Sequence, residues 1–258
     1  MLKAGLYRRP ASFFYHTLWE AIDWLYPPYC GGCLQPGSRW CESCNANTPP
    51  IDQTQICQYC GYPVAGGGLC FRCIELSAPP PVTIRSYTTY QGPIREAIHR
   101  FKYQKDIALC ESLAIYLIEL FNRYKWEVDL ILPVPLSKER KKERGYNQSF
   151  LLARPLSLHF MLPISTKAIS RTIHTNTQVG LSAQQRTENL TQAFQAQPSL
   201  VAGKRILLID DVATTSSTLT AIARTLVGAG AKQIFALTLA RSVLQSHTHQ
   251  EVQQNTQP

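Results

Sequence analysis

Acidic residues are scarce in this 258-residue chain: 17 Asp and Glu stand against 26 Lys and Arg, a net charge of +9 with a pI near 9.1. That balance argues against cationic partners and favours phosphate, pyrophosphate or nucleic acid. No apolar run approaches the ~20 residues of a membrane span. The first residues lack the apolar core and small-residue cleavage site of a secretory signal, so the expected location is the cytoplasm. Large aliphatics are sparse between residues 28 and 76 and almost absent after Arg241. The first of these segments needs another source of folding free energy, and the tail beyond residue 242 is expected to be disordered. Elsewhere a hydrophobic content of 45% supports one medium α/β domain beside a smaller module.

Cysteine is concentrated where aliphatics are missing. Eight of the nine cysteines form four CxxC pairs: Cys30/Cys33, Cys41/Cys44, Cys57/Cys60 and Cys70/Cys73. A CxxC turn aims two thiolates at one tetrahedral cation, and two such turns complete a four-thiolate zinc site. Gly31, Gly32 and Gly61 supply sharp bends at the turns. Two zinc ions are therefore expected, most simply one for each sequential pair of turns. A crossed pairing, partial loading and a redox or disulfide role are the alternatives. Metal binding would provide much of this module's folding free energy. Cys110, alone in an apolar helical stretch, reads as a buried structural residue.

The strongest chemical signal lies in Ile206-Leu-Leu-Ile-Asp-Asp-Val-Ala-Thr-Thr-Ser-Ser-Thr218. Its aliphatic start reads as a strand buried on both faces of a parallel sheet, spanning Lys204 to Ile209. Asp210 and Asp211 sit where that strand is expected to end. A hydroxyl-rich loop follows, and apolar residues at Leu219, Ile222, Ala223, Leu226 and Val227 mark an amphipathic helix. Amides at the start of such a helix hold a phosphate, Thr and Ser hydroxyls add donors, and the acidic pair can accept from two ribose hydroxyls. An ordinary helix-capping Asp pair is the bland alternative. Val212, Ala213, Thr214, Thr215, Ser216, Ser217 and Thr218 are the candidate phosphate-binding residues. This stretch resembles the ribose-5-phosphate loop of type I phosphoribosyltransferases, D-D-x-x-T-T-G-x-T, which binds phosphoribosyl pyrophosphate (PRPP). Ser216 stands where that pattern has glycine, so a left-handed backbone there would meet a steric cost.

The rest of the chain supplies the frame. Phe14, Leu18, Trp19, Ile22 and Leu25 predict an aromatic helix within residues 1–27, packing on the cysteine module or meeting a partner or membrane surface. The module itself covers 28–76, and a proline-rich linker, 77–81, closes it. An α/β domain should occupy 82–242. It opens with a strand from Val82 to Tyr90, a helix from Gly92 to Tyr103 and a second from Ile107 to Tyr124. Another strand follows over Val128–Pro135. The next stretch, to Gln148, reads as a loop crowded with Lys138, Arg140, Lys141, Lys142 and Arg144, able to neutralise a pyrophosphate or simply be solvated. Pro155 should kink or split a helix over 146–160. A last strand covers Gln233 to Leu239.

Pro133-Val-Pro-Leu136, Arg140 to Gln148 as R-x-x-x-R-G-Y-N-Q, and the series Thr175, Gln178, Leu181, Arg186, Asn189 and Phe194 make the likeness specific. With the cysteine module and Leu239-Ala-Arg241, the chain resembles the ComF/GntX family of phosphoribosyltransferase-like proteins from about Trp24 to Arg241. The resemblance implies a double zinc ribbon on a type I phosphoribosyltransferase fold, a parallel sheet flanked by helices, with 171–189 as the loop that closes over PRPP. It also implies a link to competence, and hence single-stranded DNA and DNA-uptake or helicase proteins as partners.

For PRPP, pyrophosphate would leave the anomeric carbon through an oxocarbenium-like state. The candidate catalytic residues are then Asp210 and Asp211, which fix the ribose, and Arg144 and Arg186, which with Arg140 and Mg²⁺ meet the leaving pyrophosphate. Gln178 joins the cofactor-binding set. No residue set reads a base edge, and no glutaminase domain is present to deliver ammonia, so the acceptor and the oligomeric state stay open. A second reading is a non-catalytic adaptor for single-stranded DNA, with Tyr59 and Tyr62 as stacking surfaces and the PRPP pocket a sensor or relic. Local packing of those tyrosines is its plain counterpart.

Overall fold

The computed structural model describes residues 28–76, 78–172 and 193–243. The aromatic segment 1–27 and the tail beyond 243 lie outside the described residues. So do Thr175, Gln178, Leu181, Arg186 and Asn189.

Two knuckle pairs open the described chain. Cys41 begins the short helix α1 (Glu42–Ala46) and Cys70 begins α2 (Phe71–Ile74). The chain then enters β1 (Thr83–Thr89), α3 (Gly92–Tyr103), α4 (Leu109–Tyr124) and β2 (Leu130–Pro133). Pro93 near the start of α3 costs no helical hydrogen bond, because the first amides of a helix have no internal partner. The basic stretch after β2 is not a loop. Ser137 accepts from the Arg140 amide and caps a helix, α5 (Lys138–Arg144), which Gly145 ends in a left-handed conformation at φ 80°. Lys, Arg and Glu are good helix formers, and this cap and stop suffice to order them.

α6 (Gln148–Phe160) follows, with Asn147 accepting from the Ser149 and Phe150 amides. Pro155 lies inside it, and of the two expected outcomes the split does not occur. Burial of Pro155 beside Leu152, Ala153 and Leu156 packs the ring against the core, and that packing offsets the lost backbone donor. A small antiparallel pair, β3 (Ile169–Arg171) and β4 (Phe194–Ala196), leads through α7 (Pro198–Val201) into β5 (Arg205–Ala213), α8 (Ser217–Gly228) and β6 (Gln233–Arg241).

The main sheet is parallel, in the order β1-β6-β5-β2. Along β5, Leu207 and Ile209 join the core formed with α3, α4 and α6, while Ile206 and Leu208 join the core under α8. This alternation explains why the segment reads as continuously apolar: both of its faces are covered. β5 continues past Ile209 because β6 offers ladder partners as far as Arg241. The acidic pair, Val212 and Ala213 therefore belong to the strand. On α8, Leu219, Ile222, Ala223 and Leu226 are buried as expected, but Val227 is exposed. Cys110 is buried in the α4 core.

Candidate functional site

The helices after β2 and β5, α6 and α8, lie on opposite faces of the sheet. The carboxyl ends of these neighbouring strands therefore flank a crevice, the usual position for a ligand in an open α/β sheet. Asp210 and Asp211 stand there at the end of β5. The Ser149 hydroxyl donates to Asp210 Oδ1 at 2.9 Å, and the Asp211 amide donates to the same oxygen at 3.0 Å. Lys102, from the last turn of α3, forms an ion pair with Asp211 Oδ1 at 2.6 Å. Asp211 Oδ2 is buried with no hydrogen-bond partner.

The two carboxyls differ in consequence. Burial, and then the neighbouring charge of Asp211, push the Asp210 carboxyl up to about 7, against the opposing charge of Lys102 and the Ser149 hydrogen bond. Asp211 has a cation at contact distance, and its second oxygen awaits a donor. A ligand hydroxyl is the simplest group to satisfy it.

After β5 the chain is exposed at Thr214 and Thr215, and half-buried at Ser217 and Thr218, which form the first turn of α8 and not part of the expected loop. The Thr215 and Ser217 hydroxyls lie 2.8 Å apart. Ser216 adopts φ 65°, ψ 3°, the left-handed conformation for which glycine is the undemanding residue. Its carbonyl accepts the first helical bond of α8, from Thr220, and its buried hydroxyl accepts from Arg241 at 2.5 Å. The expected steric cost is present, and a buried hydrogen bond holds the conformation in place. Val212 packs against the core and Ala213 is buried within it, so their contribution to a ligand is limited to backbone groups.

The expected arginines Arg140 and Arg144 both belong to α5. Arg140 is exposed on α5. Its charge bears on Arg171, whose pKa is lowered by burial and then by Arg140. Arg144 is buried against the Tyr103 ring, 5.0 Å from its centroid, with Nη2 donating to the Tyr103 hydroxyl at 3.4 Å. Its Nε and Nη1 have no partner, leaving donors for an anion. No described hydrogen bond or ion pair joins Arg140 or Arg144 to Asp210 or Asp211. Arg186 and Gln178 lie outside the described residues.

Sequence reasoning does not find Lys102 or Ser149. Lys102 has no motif around it, and only the packing of α3 brings it to β5. Ser149 has a faint signal, its place directly after the Asn147-Gln148 end of the R-x-x-x-R-G-Y-N-Q stretch.

The eight clustered cysteines form two tetrads, Cys30/Cys33/Cys41/Cys44 and Cys57/Cys60/Cys70/Cys73, each with its sulfurs within 4.8 Å of one another. The pairing is sequential, not crossed. Cys33 Sγ and Cys41 Sγ are 3.6 Å apart, and Cys60 Sγ and Cys70 Sγ 3.5 Å. Zinc–sulfur bonds of about 2.3 Å in a tetrahedron give a spacing of about 3.7 Å, so the donor set fits zinc.

The thiols are electrostatically divided. Burial acts to raise Cys30, but amides of Cys41, Cys33 and Gly32 outweigh it and bring the thiol down to about 6. Cys57 falls to about 7 for the same kind of reason, with Cys70, Cys60 and Tyr59 donating. Burial and neighbouring sulfurs push Cys44 and Cys73 strongly up, and burial pushes Cys60 up to about 11. Four close sulfurs cannot all ionise without a cation among them. Tyr59 and Tyr62 pack against the second tetrad, and Tyr62 meets Phe71 edge-on, in line with local packing rather than a free stacking surface.

Residues 21–74 match the double zinc ribbon domain, and residues 146–254 match the phosphoribosyl transferase domain. The DNA utilization protein YhgH of Escherichia coli (strain K12) is 34% identical over 223 residues, covering 82% of this chain and 96% of that protein. Competence protein F of Haemophilus influenzae is 32% identical over 225 residues, 83% of this chain and 85% of its own length. Competence protein ComFC of Bacillus subtilis is 31% identical, with coverage of 81% and 87%. Among the described residues, no helix is long and apolar enough to cross a membrane.

Proposed function

The chain belongs to the family of DNA utilization protein YhgH and the competence proteins F and ComFC, the ComF/GntX family, and on that footing we propose that the crevice at the ends of β2 and β5 binds PRPP. The 5-phosphate sits on the loop 214–218 at the start of α8, where first-turn amides without helical partners and the helix dipole favour an anion. Asp210 and Asp211 accept from the ribose hydroxyls. The observation that carries this reading is Asp211 Oδ2, buried and partnerless beside that loop while Lys102 holds the other oxygen. A buried carboxylate oxygen without a donor is costly, and a ribose hydroxyl removes the deficit.

Pyrophosphate calls for cations beyond the acidic pair. Arg144 offers two buried, partnerless donors, and Arg140 offers an exposed charge close to Arg171. Arg186 and Gln178 are proposed for the same group on the family pattern alone. Mg²⁺ arriving with PRPP would find oxygen donors in the acidic pair and would neutralise pyrophosphate charge. The protein's own share of the chemistry is orientation: Ser149 fixes Asp210, Lys102 fixes Asp211, and both carboxyls then face the sugar rather than the solvent. The eight tetrad cysteines are proposed to hold two zinc ions in a structural role.

The names of the relatives support placing this site in the service of DNA utilization and competence. PRPP binding fits either a transferase with an unidentified acceptor or a DNA-handling protein that senses the nucleotide precursor. Calorimetric titration of the zinc-loaded protein with PRPP and Mg²⁺ tests the common part. Binding that disappears in Asp210→Asn/Asp211→Asn supports the reading, and equal affinity in parent and variant refutes it. Pyrophosphate release with one acceptor would then select the transferase. Salt-sensitive binding of single-stranded DNA without release would select the other.

A further inference from the structure

Arg241 ends β6 and is 1% exposed, among the largest fully buried side chains. A buried guanidinium ordinarily requires a carboxylate partner, yet none of the described ion pairs involves Arg241. Its neighbours come from two distant parts of the chain. Nη1 donates to the Cys60 carbonyl at 2.9 Å and to the Ser216 hydroxyl at 2.5 Å. Nη2 lies 3.6 Å from Cys60 Sγ, and the guanidinium sits over the Tyr62 ring at 5.5 Å. One planar cation thus touches a ligand of the second tetrad and the central residue of the phosphate loop, which caps α8.

We propose that Arg241 couples the second cysteine tetrad to the loop 214–218, so that metal loading of the tetrad and anion binding on the loop strengthen each other. The anion half of this statement rests on the PRPP reading above. Four thiolates on Zn²⁺ carry a net charge of −2, which supplies the counter-charge that Arg241 otherwise lacks. Held in that field, the guanidinium fixes the Ser216 hydroxyl and with it a left-handed turn that a serine does not favour by itself. With the tetrad empty, the four sulfurs no longer form one metal-held anionic centre, so the buried cation loses its partner and the turn loses its restraint. The same link explains how serine serves at the position where the resembled loop pattern has glycine. Glycine adopts the turn freely, whereas serine is held there by a bond from the other module. Coupling between sites is reciprocal, so an anion on the loop must also tighten metal binding at the tetrad.

Hydrogen exchange of the amides in 213–220, measured on the full chain, tests the link without any phosphorylated ligand. Cys73→Ser empties the second tetrad and leaves Cys60 intact; Cys33→Ser empties the first. The expected result is exchange at least about fivefold faster at the start of α8 in Cys73→Ser, with Cys33→Ser at the parental rate. Arg241→Lys keeps the charge but cannot bridge both acceptors, and should give the same acceleration in a ribbon whose ligands are all present. In Ser216→Gly, which accepts the backbone angle and cuts the link, adding Cys73→Ser should change nothing further. Equal rates in parent, Cys73→Ser and Arg241→Lys overturn the proposal. So does equal acceleration in Cys33→Ser, which would mean general loosening.

A second arm uses PRPP with Mg²⁺ and reads zinc affinity by equilibrium competition with a chelator. The affinity of the second tetrad should rise at least about fivefold in the parent and stay unchanged in Ser216→Gly. Exchange that responds to the metal while PRPP fails to bind sinks the PRPP reading and leaves the coupling standing. PRPP that binds while exchange ignores the metal sinks the coupling alone.

Discussion

Lys102→Met is the most direct perturbation of the acidic pair, because it removes one charge and keeps most of the stem's packing. Side-chain exposure is 17% for Lys102 and 4% for Asp211, and their ion pair measures 2.6 Å. Removing one partner of a buried pair costs about 3–5 kcal/mol, mainly through the charge left behind. The lysine keeps some access to water, so the lower end applies, about 3 kcal/mol. At about 2–4 °C per kcal/mol for a domain of this size, Tm should fall by about 6–12 °C at pH 8. The Asp210 carboxyl, ionised at pH 8 and protonated by pH 5, adds a second charge for Lys102 to offset only at the higher pH, so the loss should shrink toward pH 5. Lys102 also opposes the upward push on Asp210, and its removal should carry that carboxyl further up. Lys102→Arg should recover most of the stability. Differential scanning calorimetry at pH 5 and pH 8 reads all of this. A loss under about 2 °C at pH 8 would refute the claim that Lys102 neutralises Asp211. A loss of equal size at both pH values would assign the effect to packing instead of charge.

Asp210→Asn should stabilise the empty protein at pH 8 while abolishing PRPP binding. The Asp210 pKa in the fold, about 7, lies above the ordinary carboxyl value of about 3.9, so its contribution is fully present below pH 4 and is lost as pH rises through 7. Asparagine removes that slope, and Tm should rise at pH 8, with the gain in stability over the parent about 3 kcal/mol larger there than at pH 5. A variant less stable than the parent at pH 8 would contradict the assignment. Metal analysis should find two zinc ions per chain and one in Cys33→Ser; loss of zinc to a chelator should unfold the ribbon, as followed by proteolysis of residues 28–76. Intact, protease-resistant ribbon after complete zinc removal would sink that expectation. Gly61→Ala should destabilise by at least about 2 kcal/mol, since a Cβ there would stand 2.5 Å from the Ile84 carbonyl oxygen at φ 67°. Gly37→Ala, at φ 106° with nothing within 4 Å, isolates the backbone strain and should cost clearly less in the same urea titration.

What the sequence discloses is whatever physics writes locally. Periodicity and β-branched runs locate β1, α3, α4, β5 and α8 to within a few residues, because each carries its burial pattern in its own side chains. The CxxC spacing discloses the tetrads, since two ligands on one turn are a local fact. The basic stretch 138–144 misleads for the opposite reason: charge density suggests a solvated loop, while the Ser137 cap and Gly145 stop, both visible in the sequence, specify a helix. The end of β5 falls later than its own residues suggest because its length is set by β6, a partner twenty residues downstream. Lys102, Ser149 and Arg241 are out of reach as site residues. Each acquires its role from a neighbour 25 to 181 positions away, and nothing in the immediate sequence encodes such a distance.

That same non-local character binds the cysteine module to the α/β domain. The Ile84 amide donates to the Tyr59 carbonyl at 2.8 Å, so β1 uses its free edge to hold the second knuckle. Gly61 permits this approach, because any side chain would strike the strand backbone. On the first ribbon, Trp40 Nε1 donates to the Tyr116 hydroxyl at 2.5 Å, and that hydroxyl donates to Asn45 Oδ1 at 2.7 Å. Deleting the ribbon would leave the β1 edge unpaired, the Tyr116 hydroxyl without its partners and Arg241 buried beside nothing anionic. A truncated α/β domain is therefore expected to be less stable and to present an altered phosphate loop. Its failure to bind PRPP would report the altered loop and would say nothing of the acidic pair, which only point substitutions in the full chain can test.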